Sequence, residues 1–324
     1  MWKSKPSNLG GQKKERGAKD AGKRMEQDVT YLTFQVTEQD LKVEQVLKKE
    51  FHLTSAQISR LKFQTPGILV NGQKARVTEG VEPGDWIAVG IPGAGGGKSA
   101  RLLPWEAPLQ ILYEDGALLA VGKPAGILVH PSGVHYQDTL SNQVAAHYQR
   151  EGISCPVRPV GRLDKDTSGI VLFAKNQVAA ARLSKGEGKL KKEYLCLAKG
   201  IFQEKSGWIR TPIRRCGTKE LRMEIHREGK EALTRYQVEE ERKGVSLVQV
   251  EILTGRTHQI RLHLASIGHP LLGDGLYGDG EEEGFSRSAL HAGKVSFLHP
   301  IRGERMELSM ELPKDFRNFL NHWK

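Results

Sequence analysis

The chain has 324 residues, of which 38% are hydrophobic, so it can bury at least one full core, and its length suggests two domains. Its 49 Lys and Arg residues against 38 Asp and Glu residues give a formal charge of +11, which favours a polyanionic partner such as a nucleic acid. Because no apolar run approaches the roughly 18–20 residues that span a bilayer and the N-terminus has no apolar leader, we expect a cytoplasmic protein that does not bind membranes.

Residues 1–28 are basic and almost without apolar side chains. They hold eight Lys or Arg residues and several glycines, so they cannot bury enough surface to become ordered. We therefore predict a flexible arm. Such an arm either adds phosphate affinity that weakens with salt or only improves solubility.

Residues 29–91 show the pattern of two short helices followed by strands. The helical apolar stripes are Val43, Val46, Leu47 and Phe51 in the first helix, and Ile58 and Leu61 in the second, which begins at Thr54 or Ser55. Asn71-Gly72 is a strong hairpin signal between strands. This unit resembles the S4 RNA-binding domain, a small α+β fold, and the resemblance implies that Arg60 and Lys62 face RNA phosphates.

The glycine-rich stretch at 92–103 is typical of a linker. Gly-Lys-Ser at 97–99 also invites a nucleotide-binding interpretation. However, Pro92 stands where the phosphate-binding motif requires its first glycine, and residues 100–108 contain two prolines and no helical period. We therefore predict a flexible connection between the small domain and the remainder of the chain.

Residues 104–324 show mostly strand patterns with a few helices. Strands are predicted at 111–115, 117–121, 170–174, 194–198, 236–239 and 245–253, and helices at 140–150 and 257–267. Gly268 and Pro270 mark the end of the second helix. A majority of strands with helices packed against them predicts an α+β domain with a mainly antiparallel sheet.

The most informative stretch is the octapeptide at 162–169, Arg-Leu-Asp-Lys-Asp-Thr-Ser-Gly. It places Asp164 in a turn between apolar segments, with Arg162 and Lys165 on either side, where a carboxylate can be held as a nucleophile or a base. Asp, Lys, Thr, Ser and Gly are all ordinary turn residues, so alone the stretch is most often a plain connection between strands. Its companions elsewhere in the chain change that interpretation.

Five further motifs accompany the octapeptide in a fixed order. They are Gly122–Pro131, Lys192–Leu195, Gly229–Ala232, Thr254–Arg261 and Gly268–Asp274. Together these motifs resemble the RluA-like pseudouridine synthases over essentially all of 104–324. The resemblance implies the pseudouridine synthase fold and the isomerisation of uridine in RNA, without a cofactor or a metal ion. An S4-like domain joined N-terminally by a linker is also found in that family.

Carried over position by position, the family's essential aspartate falls on Asp164, its active-site tyrosine on Tyr194 and its buried arginine on Arg261. Asp164 either adds to C1′ of the ribose or removes the 2′ proton, and the sequence leaves both routes open. Tyr194 offers a ring to stack on the uracil and a phenol for proton transfer at C5. Arg261 would pair with Asp164 and fix its rotamer, with Arg256 as the competing candidate.

Substrate contacts are predicted from the basic and polar residues near these motifs. The predicted set is Arg162, Arg256, His258, Arg60 and Lys62, and the stretch 210–227 adds a basic hairpin or loop that clasps RNA. Many family members carry a histidine just before Arg-Leu-Asp, whereas this chain has Gly161. The RNA contact of that histidine is therefore missing, and glycine either loosens the segment or lets backbone approach more closely.

The predicted function follows from these assignments. We predict a monomeric synthase that modifies specific uridines of large-subunit ribosomal RNA, as the S4-like domain suggests. Transfer RNA is the alternative substrate. The alternative class of function is an RNA-binding or ribosome-assembly protein whose catalytic fold no longer reacts.

Overall fold

The computed structural model describes residues 30–63, 67–91, 102–185, 190–217, 222–280 and 284–323. The predicted basic arm and residues 92–101, which include most of the predicted linker, lie outside the described residues. In the described part of the chain, no helix is both long and apolar enough to cross a membrane.

The N-terminal module comprises residues 30–63 and 67–91. Its elements are β1 (Thr30–Gln35), β2 (Leu41–Lys42), α1 (Val43–Lys49), α2 (Ser55–Leu61), β3 (Ile68–Val70), β4 (Gln73–Lys74), β5 (Gly80–Val81) and β6 (Trp86–Ile91). Strands β1, β6, β3 and β4 form an antiparallel sheet in that order, and β2 pairs with β5. The two predicted helices are present. Their predicted apolar stripes are buried in one cluster with the inner side chains of the sheet.

Local signals fix two features of this module. The Oγ1 atom of Thr54 accepts a hydrogen bond from the backbone N–H of Gln57, which caps α2 as predicted. Asn71 and Gly72 both have positive φ, the conformation that a two-residue hairpin turn between β3 and β4 requires. The predicted hairpin is therefore confirmed.

The C-terminal region, residues 102–323 as described, is built on a large sheet. Its strands are β7 (Gln110–Glu114), β8 (Leu118–Lys123), β9 (Pro159–Val160), β10 (Ser168–Ala174), β11 (Lys191–Lys199), β12 (Ser206–Ile209), β13 (Ile213–Arg215), β14 (Met223–Ile225), β15 (Thr234–Arg242), β16 (Val245–Ile252), β17 (Leu290–Leu298) and β18 (Arg305–Ser309). Its helices are α3 (Leu140–Arg150), α4 (Gln177–Ser184), α5 (Gln259–Ser266) and α6 (Lys314–His322). The region is α+β, as predicted.

The large sheet has the strand order β12-β15-β16-β11-β17-β10-β8-β7, with β9 paired to β10 and β18 paired to β17. All pairs are antiparallel except β10 with β17. Gly169 lies at this parallel contact, with φ +128°, and a Cβ at this position would stand 2.3 Å from the carbonyl oxygen of Ala292. Only glycine allows the two central strands to approach so closely.

Helices α3 and α5 cover the face of the sheet that carries Tyr194. Their inward side chains, including Val144 and Leu264, share one core cluster with alternate residues of β11, β15 and β16. Helix α3 spans its predicted range. Helix α5 begins two residues later than predicted, because His258 takes a left-handed conformation with φ 53° at the N-cap.

The N-terminal module packs against α4 of the C-terminal region. Val178 and Ala181 of α4 belong to the same apolar cluster as the core of the module. Arg182 donates to the carbonyl oxygens of Pro300 at 2.9 Å and Glu50 at 3.4 Å, and its guanidinium lies 5.3 Å from the ring centroid of Phe51. Burial lowers the pKa of Arg182 to about 10. Helix α4, absent from the sequence prediction, thus supports the module.

Candidate active site

Asp164 lies in a tight turn between the short strand β9 and the central strand β10. The backbone N–H of Thr167 donates to the carbonyl oxygen of Asp164 at 3.2 Å and closes the turn, as the sequence predicted for this octapeptide. Strand β10, which follows, is buried over its whole length. The turn is therefore joined directly to a fully buried strand.

The buried side chain of Lys123 holds one side of this turn. Its fully buried Nζ donates to three carbonyl oxygens, those of Pro124 at 2.9 Å, Ile127 at 2.8 Å and Lys165 at 2.8 Å. Burial lowers the pKa of Lys123 to about 7, while the charges of Asp166 and Asp164 oppose the shift. The three carbonyl acceptors favour the ammonium form, because only that form supplies three donors.

Arg287 fixes the other side of the turn. Its Nη1 donates to the carbonyl oxygen of Asp166 at 2.9 Å, and its Nε donates to Oδ2 of Asp315 at 2.7 Å. Backbone groups of the turn are therefore held at residues 164, 165 and 166. The half-buried carboxylate of Asp164 itself has no hydrogen-bond or ion-pair partner among the described residues.

Tyr194 lies on β11, and the charge of Asp164 acts on its phenol. The side chain is only 5% exposed and belongs to the core cluster beneath α5. Burial raises the pKa of Tyr194, and the negative charge of Asp164 raises it further. The phenol is therefore protonated at neutral pH. The charge of Asp164 therefore reaches the Tyr194 phenol, although no hydrogen bond joins the two side chains in the described residues.

Arg261 projects from the first turns of α5 and is only 8% exposed. It does not form the predicted ion pair with Asp164. Its Nε and Nη2 instead donate to the two carboxylate oxygens of Asp274, each at 2.6 Å. Burial alone would lower the pKa of Arg261, but Asp274 outweighs this effect and the charge of Asp164 adds to it, so the pKa is raised. Arg261 thus acts on Asp164 at longer range.

Tyr277 connects this ion pair to the basic hairpin formed by β13 and β14. Its hydroxyl accepts a hydrogen bond from the backbone N–H of Met223 at 2.8 Å and lies 3.0 Å from Nδ1 of His258. Its ring lies 5.3 Å from the guanidinium of Arg261 and 5.7 Å from that of Arg222. Tyr277 therefore contacts the hairpin, the cap of α5 and the buried arginine together.

His258 is half-buried in the same cluster. Burial lowers its pKa, and the positive charge of Arg261 lowers it further, while Asp164 opposes the shift. A neutral ring can accept the proton of the Tyr277 hydroxyl at Nδ1, because that hydroxyl already accepts from Met223. In the tautomer whose Nδ1 accepts this proton, Nε2–H is the remaining donor of His258.

The other predicted contact residues lie around this centre or apart from it. Arg162 is exposed and donates to Oγ1 of Thr257 at 3.4 Å. Arg256 donates through Nε to the carbonyl oxygen of Glu231 at 2.9 Å, so it tethers the loop before α5 to the 229–232 motif. Arg60 and Lys62 are exposed on the N-terminal module. Arg256, like Arg261, forms no ion pair with Asp164 in the part of the chain that the structure describes.

The predicted basic hairpin is present as β13 and β14, with residues 218–221 outside the described residues. Arg214 on this hairpin is engaged within the protein. Its Nε donates to Glu224 at 2.7 Å and its Nη1 to Glu228 at 3.3 Å. The cationic side chains of the hairpin are thus only partly available to a substrate.

Gly161, before the octapeptide, has φ +75°, and a Cβ there would meet only Nζ of Lys192 at 3.8 Å. That Nζ is buried and has no hydrogen-bond partner in the described part of the chain. Burial lowers the pKa of Lys192 to about 8. Glycine at position 161 therefore leaves space above a buried amine.

Sequence reasoning did not assign roles to Lys123, Asp274 and Tyr277. All three lie in or just after motifs that the sequence did single out, at 122–131 and 268–274. Membership in those motifs was the available signal. Their partners are backbone carbonyls or side chains from other elements, which the spacing of residues along the chain does not reveal.

Comparisons with known proteins identify the family of this chain. Residues 117–266 match the family model described as RNA pseudouridylate synthase. The chain is 41% identical over 242 residues to "Uncharacterized RNA pseudouridine synthase YhcT" of Bacillus subtilis, covering 74% of this chain and 79% of that protein. It is 36% identical to "Ribosomal large subunit pseudouridine synthase D" of Yersinia pestis, covering 79% of this chain and 83% of that protein.

A solved structure supports the same assignment. The structure of "Human RNA Pseudouridylate Synthase Domain Containing 1" aligns with a TM-score of 0.52 and 31% identity, covering 64% of this chain and 84% of that one. The chain therefore belongs to the RluA-like RNA pseudouridine synthases, the isomerases that convert uridine to pseudouridine in RNA.

Proposed function

We propose that Asp164 is the catalytic carboxylate of this synthase and that its substrate is large-subunit ribosomal RNA. One observation carries the catalytic assignment: the Asp164 carboxylate is left without a partner among the described residues, on a turn whose backbone is held by Lys123 and Arg287. A carboxylate that is positioned but not engaged is available to react with a substrate.

The reaction breaks the N1–C1′ bond, turns the uracil and joins C5 to C1′. In one route, Asp164 forms a bond to C1′ as N1 leaves with the bonding electrons, and C5 then displaces the carboxylate. In the other route, Asp164 takes the 2′ proton as N1 leaves with its bonding electrons, which forms a C1′–C2′ double bond, and it returns the proton to C2′ as C5 bonds to C1′. In both routes the C5 proton is lost and N1 gains a proton, so no redox step occurs.

Tyr194 and Arg261 complete the proposed site. The neutral phenol of Tyr194 can stack on the uracil and donate or relay a proton at C5. Asp274 holds Arg261 in place, where the charges of Arg261 and Asp164 act on each other without an ion pair. The uridine must be flipped out of its stack to reach these groups, and the cost of a few kcal/mol is smallest in RNA loops.

The proposed substrate rests on the relatives and on the N-terminal module. Several relatives of comparable length are named ribosomal large subunit pseudouridine synthase D. We propose that the N-terminal module is an S4-like RNA-binding domain, in which the exposed Arg60 and Lys62 contact phosphates. Arg162, Arg256 and His258 would contact the RNA near the flipped nucleotide. In this proposal the enzyme acts as a monomer in the cytoplasm, without a cofactor or metal.

Mapping of pseudouridine in total RNA tests this proposal. Cells that carry the wild-type protein are compared with cells that carry Asp164→Ala, at equal protein levels. We expect one or more pseudouridines to disappear from large-subunit ribosomal RNA. A loss confined to transfer RNA would overturn the substrate assignment, and an unchanged map would overturn the catalytic role of Asp164.

A further inference from the structure

Trp208 is a large aromatic side chain that the structure leaves 44% exposed. It lies on β12, the strand at one end of the ten-stranded sheet. Burying an indole normally stabilises a folded protein. An indole left exposed at a sheet edge therefore marks a surface that a bound ligand can cover. Its surroundings indicate what it binds.

Two guanidinium groups flank the indole of Trp208. That of Arg210 lies 5.6 Å from the ring centroid and that of Arg235 lies 5.9 Å from it. Arg235 is the cross-strand partner of Trp208, and Arg210 is two residues further along the chain. These separations exceed the roughly 3.5–4.0 Å between atoms in contact, so neither guanidinium lies flat on the centre of the ring.

Neither arginine is engaged by an acid. In the described part of the chain, Arg210 and Arg235 have no ion pair within 4.0 Å and no hydrogen-bond acceptor, in contrast to Arg214, which binds two glutamates. Glu251, the cross-strand partner of Arg235 on β16, shares this face of the sheet but makes no ion pair with Arg235 within 4.0 Å. Each guanidinium therefore retains its donors for an external anion.

The Trp208 surface lies on the face of the sheet opposite to Tyr194. Cross-strand partners share a face, and the series Gly207, Tyr236, Val250 and Tyr194 consists of successive partners. Trp208, one residue beyond Gly207, points to the other side. The surface is therefore separate from the catalytic centre.

The chain connects this surface directly to the basic hairpin near the catalytic centre. Arg210 is three residues before Ile213, where β13 begins, so the two lie within about 11 Å along an extended chain. The hairpin contacts Tyr277 and hence the catalytic cluster. The edge of β12 is therefore within about 11 Å of the start of the hairpin, a span that an RNA strand bound to the hairpin can cover.

We propose that Trp208, Arg210 and Arg235 form an accessory site for one unpaired nucleotide of the RNA substrate, outside the active site. The base stacks on the indole, and the two guanidiniums bind the adjacent phosphates. The charge of +11 and the two unengaged arginines favour an RNA strand over a protein partner. This inference rests on the RNA substrate of the proposed function but not on the identity of that RNA.

Fluorescence anisotropy with the full chain tests the site. The probes are a labelled single-stranded 20-nucleotide oligouridylate and a labelled RNA duplex of 20 base pairs. We expect Trp208→Ala to raise the Kd for the single strand about fivefold or more, and to change the Kd for the duplex less than twofold, because paired bases are not free to stack. Trp208→Phe should restore most of the affinity.

Charge is tested separately from stacking. For the single strand, the slope of log Kd against the logarithm of the salt concentration should fall by about 0.7 in Arg210→Ala. That value corresponds to the loss of one phosphate contact. Arg305→Ala, which removes an exposed arginine from β18, a strand paired with β17 rather than with β12 or β15, is the matched control and should leave that slope unchanged. Thermal unfolding of each variant confirms that it is folded.

Three results would overturn the proposal. The first is a single-strand Kd for Trp208→Ala within twofold of the wild-type value, and the second is an equal loss of affinity for the single strand and the duplex. The third is a wild-type dimer that becomes a monomer in Trp208→Ala, as measured by sedimentation, because the surface would then be a contact between protein chains. Failure of the ribosomal RNA assignment would be recognised separately, because the pseudouridine map would contradict it while oligouridylate binding still depended on Trp208.

Discussion

The guanidinium of Arg261 makes a two-point ion pair with the carboxylate of Asp274, with both N···O distances at 2.6 Å. The same carboxylate accepts the backbone N–H groups of Leu276 and Tyr277. Asp274 is therefore fixed, and it fixes Arg261 in turn. Because Arg261 is paired with Asp274, it makes no direct ion pair with Asp164. We infer that the Asp164 carboxylate thereby stays free to react.

Asp274→Asn tests that arrangement. The substitution leaves a buried arginine without its counter-charge, so we expect the free energy of unfolding to fall by about 3 kcal/mol. We also expect Arg261 to turn to Asp164 and the single-turnover rate of pseudouridine formation to fall more than tenfold, with RNA affinity retained. Glu307→Gln, which breaks an exposed pair with Lys294, is the control and should cost less than about 1 kcal/mol. Wild-type stability and rate in Asp274→Asn would contradict the account.

Tyr277→Phe separates the hydroxyl of Tyr277 from its ring. The variant keeps the ring beside Arg261 and Arg222 but loses the hydrogen bonds to Met223 and His258. We expect a loss of about 1–3 kcal/mol and faster hydrogen exchange at the amide of Met223, because that donor loses its acceptor. Tyr136→Phe, at an exposed tyrosine, should change neither quantity. Unchanged exchange at Met223 would show that the hairpin is held by other contacts.

Lys192→Met tests the buried amine beside Gly161. The pKa of Lys192 is about 8 in the folded protein and about 10.4 in the unfolded chain. Between these values the unfolded chain holds a proton that the folded protein has lost, so the stability of the wild type rises with pH. We expect Lys192→Met to be more stable at pH 7, by about 3 kcal/mol at most, with the difference shrinking as pH rises from 8 to 10.4.

Chemical unfolding at several pH values measures this effect. Lys74→Met, at an exposed lysine of β4, is the control and should show no comparable change with pH. A stability difference between Lys192→Met and wild type that stays constant across this range would mean that the amine of Lys192 does not lose its proton in the folded protein.

Gly169→Ala tests the close approach of β10 and β17. The methyl group would meet the Ala292 carbonyl at 2.3 Å on a backbone with φ +128°, so we expect a loss of about 3 kcal/mol or more. Gly116→Ala, in the turn between β7 and β8, adds a methyl group to open space and should cost less than about 0.5 kcal/mol. Thermal unfolding compares the two, and equal melting temperatures would contradict the packing argument.

The sequence predicted those parts of the fold that local chemistry determines. Helix α3 has a four-residue apolar spacing and a glycine just beyond its end, and the Asn71-Gly72 turn requires positive φ. Strand β17 and helix α6 were not predicted. Strand β17 mixes His291 and Lys294 with apolar residues, and only Phe316 of α6 is fully buried, so neither shows a clear period.

The sequence predicted which residues form the candidate site, but not the hydrogen bonds and ion pairs that they make. The motifs indicated Asp164, Tyr194 and Arg261, but the ion pair of Arg261 with Asp274 joins two motifs whose contact no spacing rule gives. The hydrogen bonds from Lys123 to three carbonyl oxygens could not be predicted either, because every residue carries the same backbone carbonyl acceptor.

The most direct test of the central claim measures loss of the C5 proton. Uridine in transcribed large-subunit RNA is labelled with tritium at C5, and tritium release is followed in a single turnover with excess enzyme. We expect complete release at the target uridine by the wild type and none by Asp164→Ala or Asp164→Asn, although both variants bind the RNA. Tritium release by either variant at more than about one thousandth of the wild-type rate would contradict the catalytic role of Asp164.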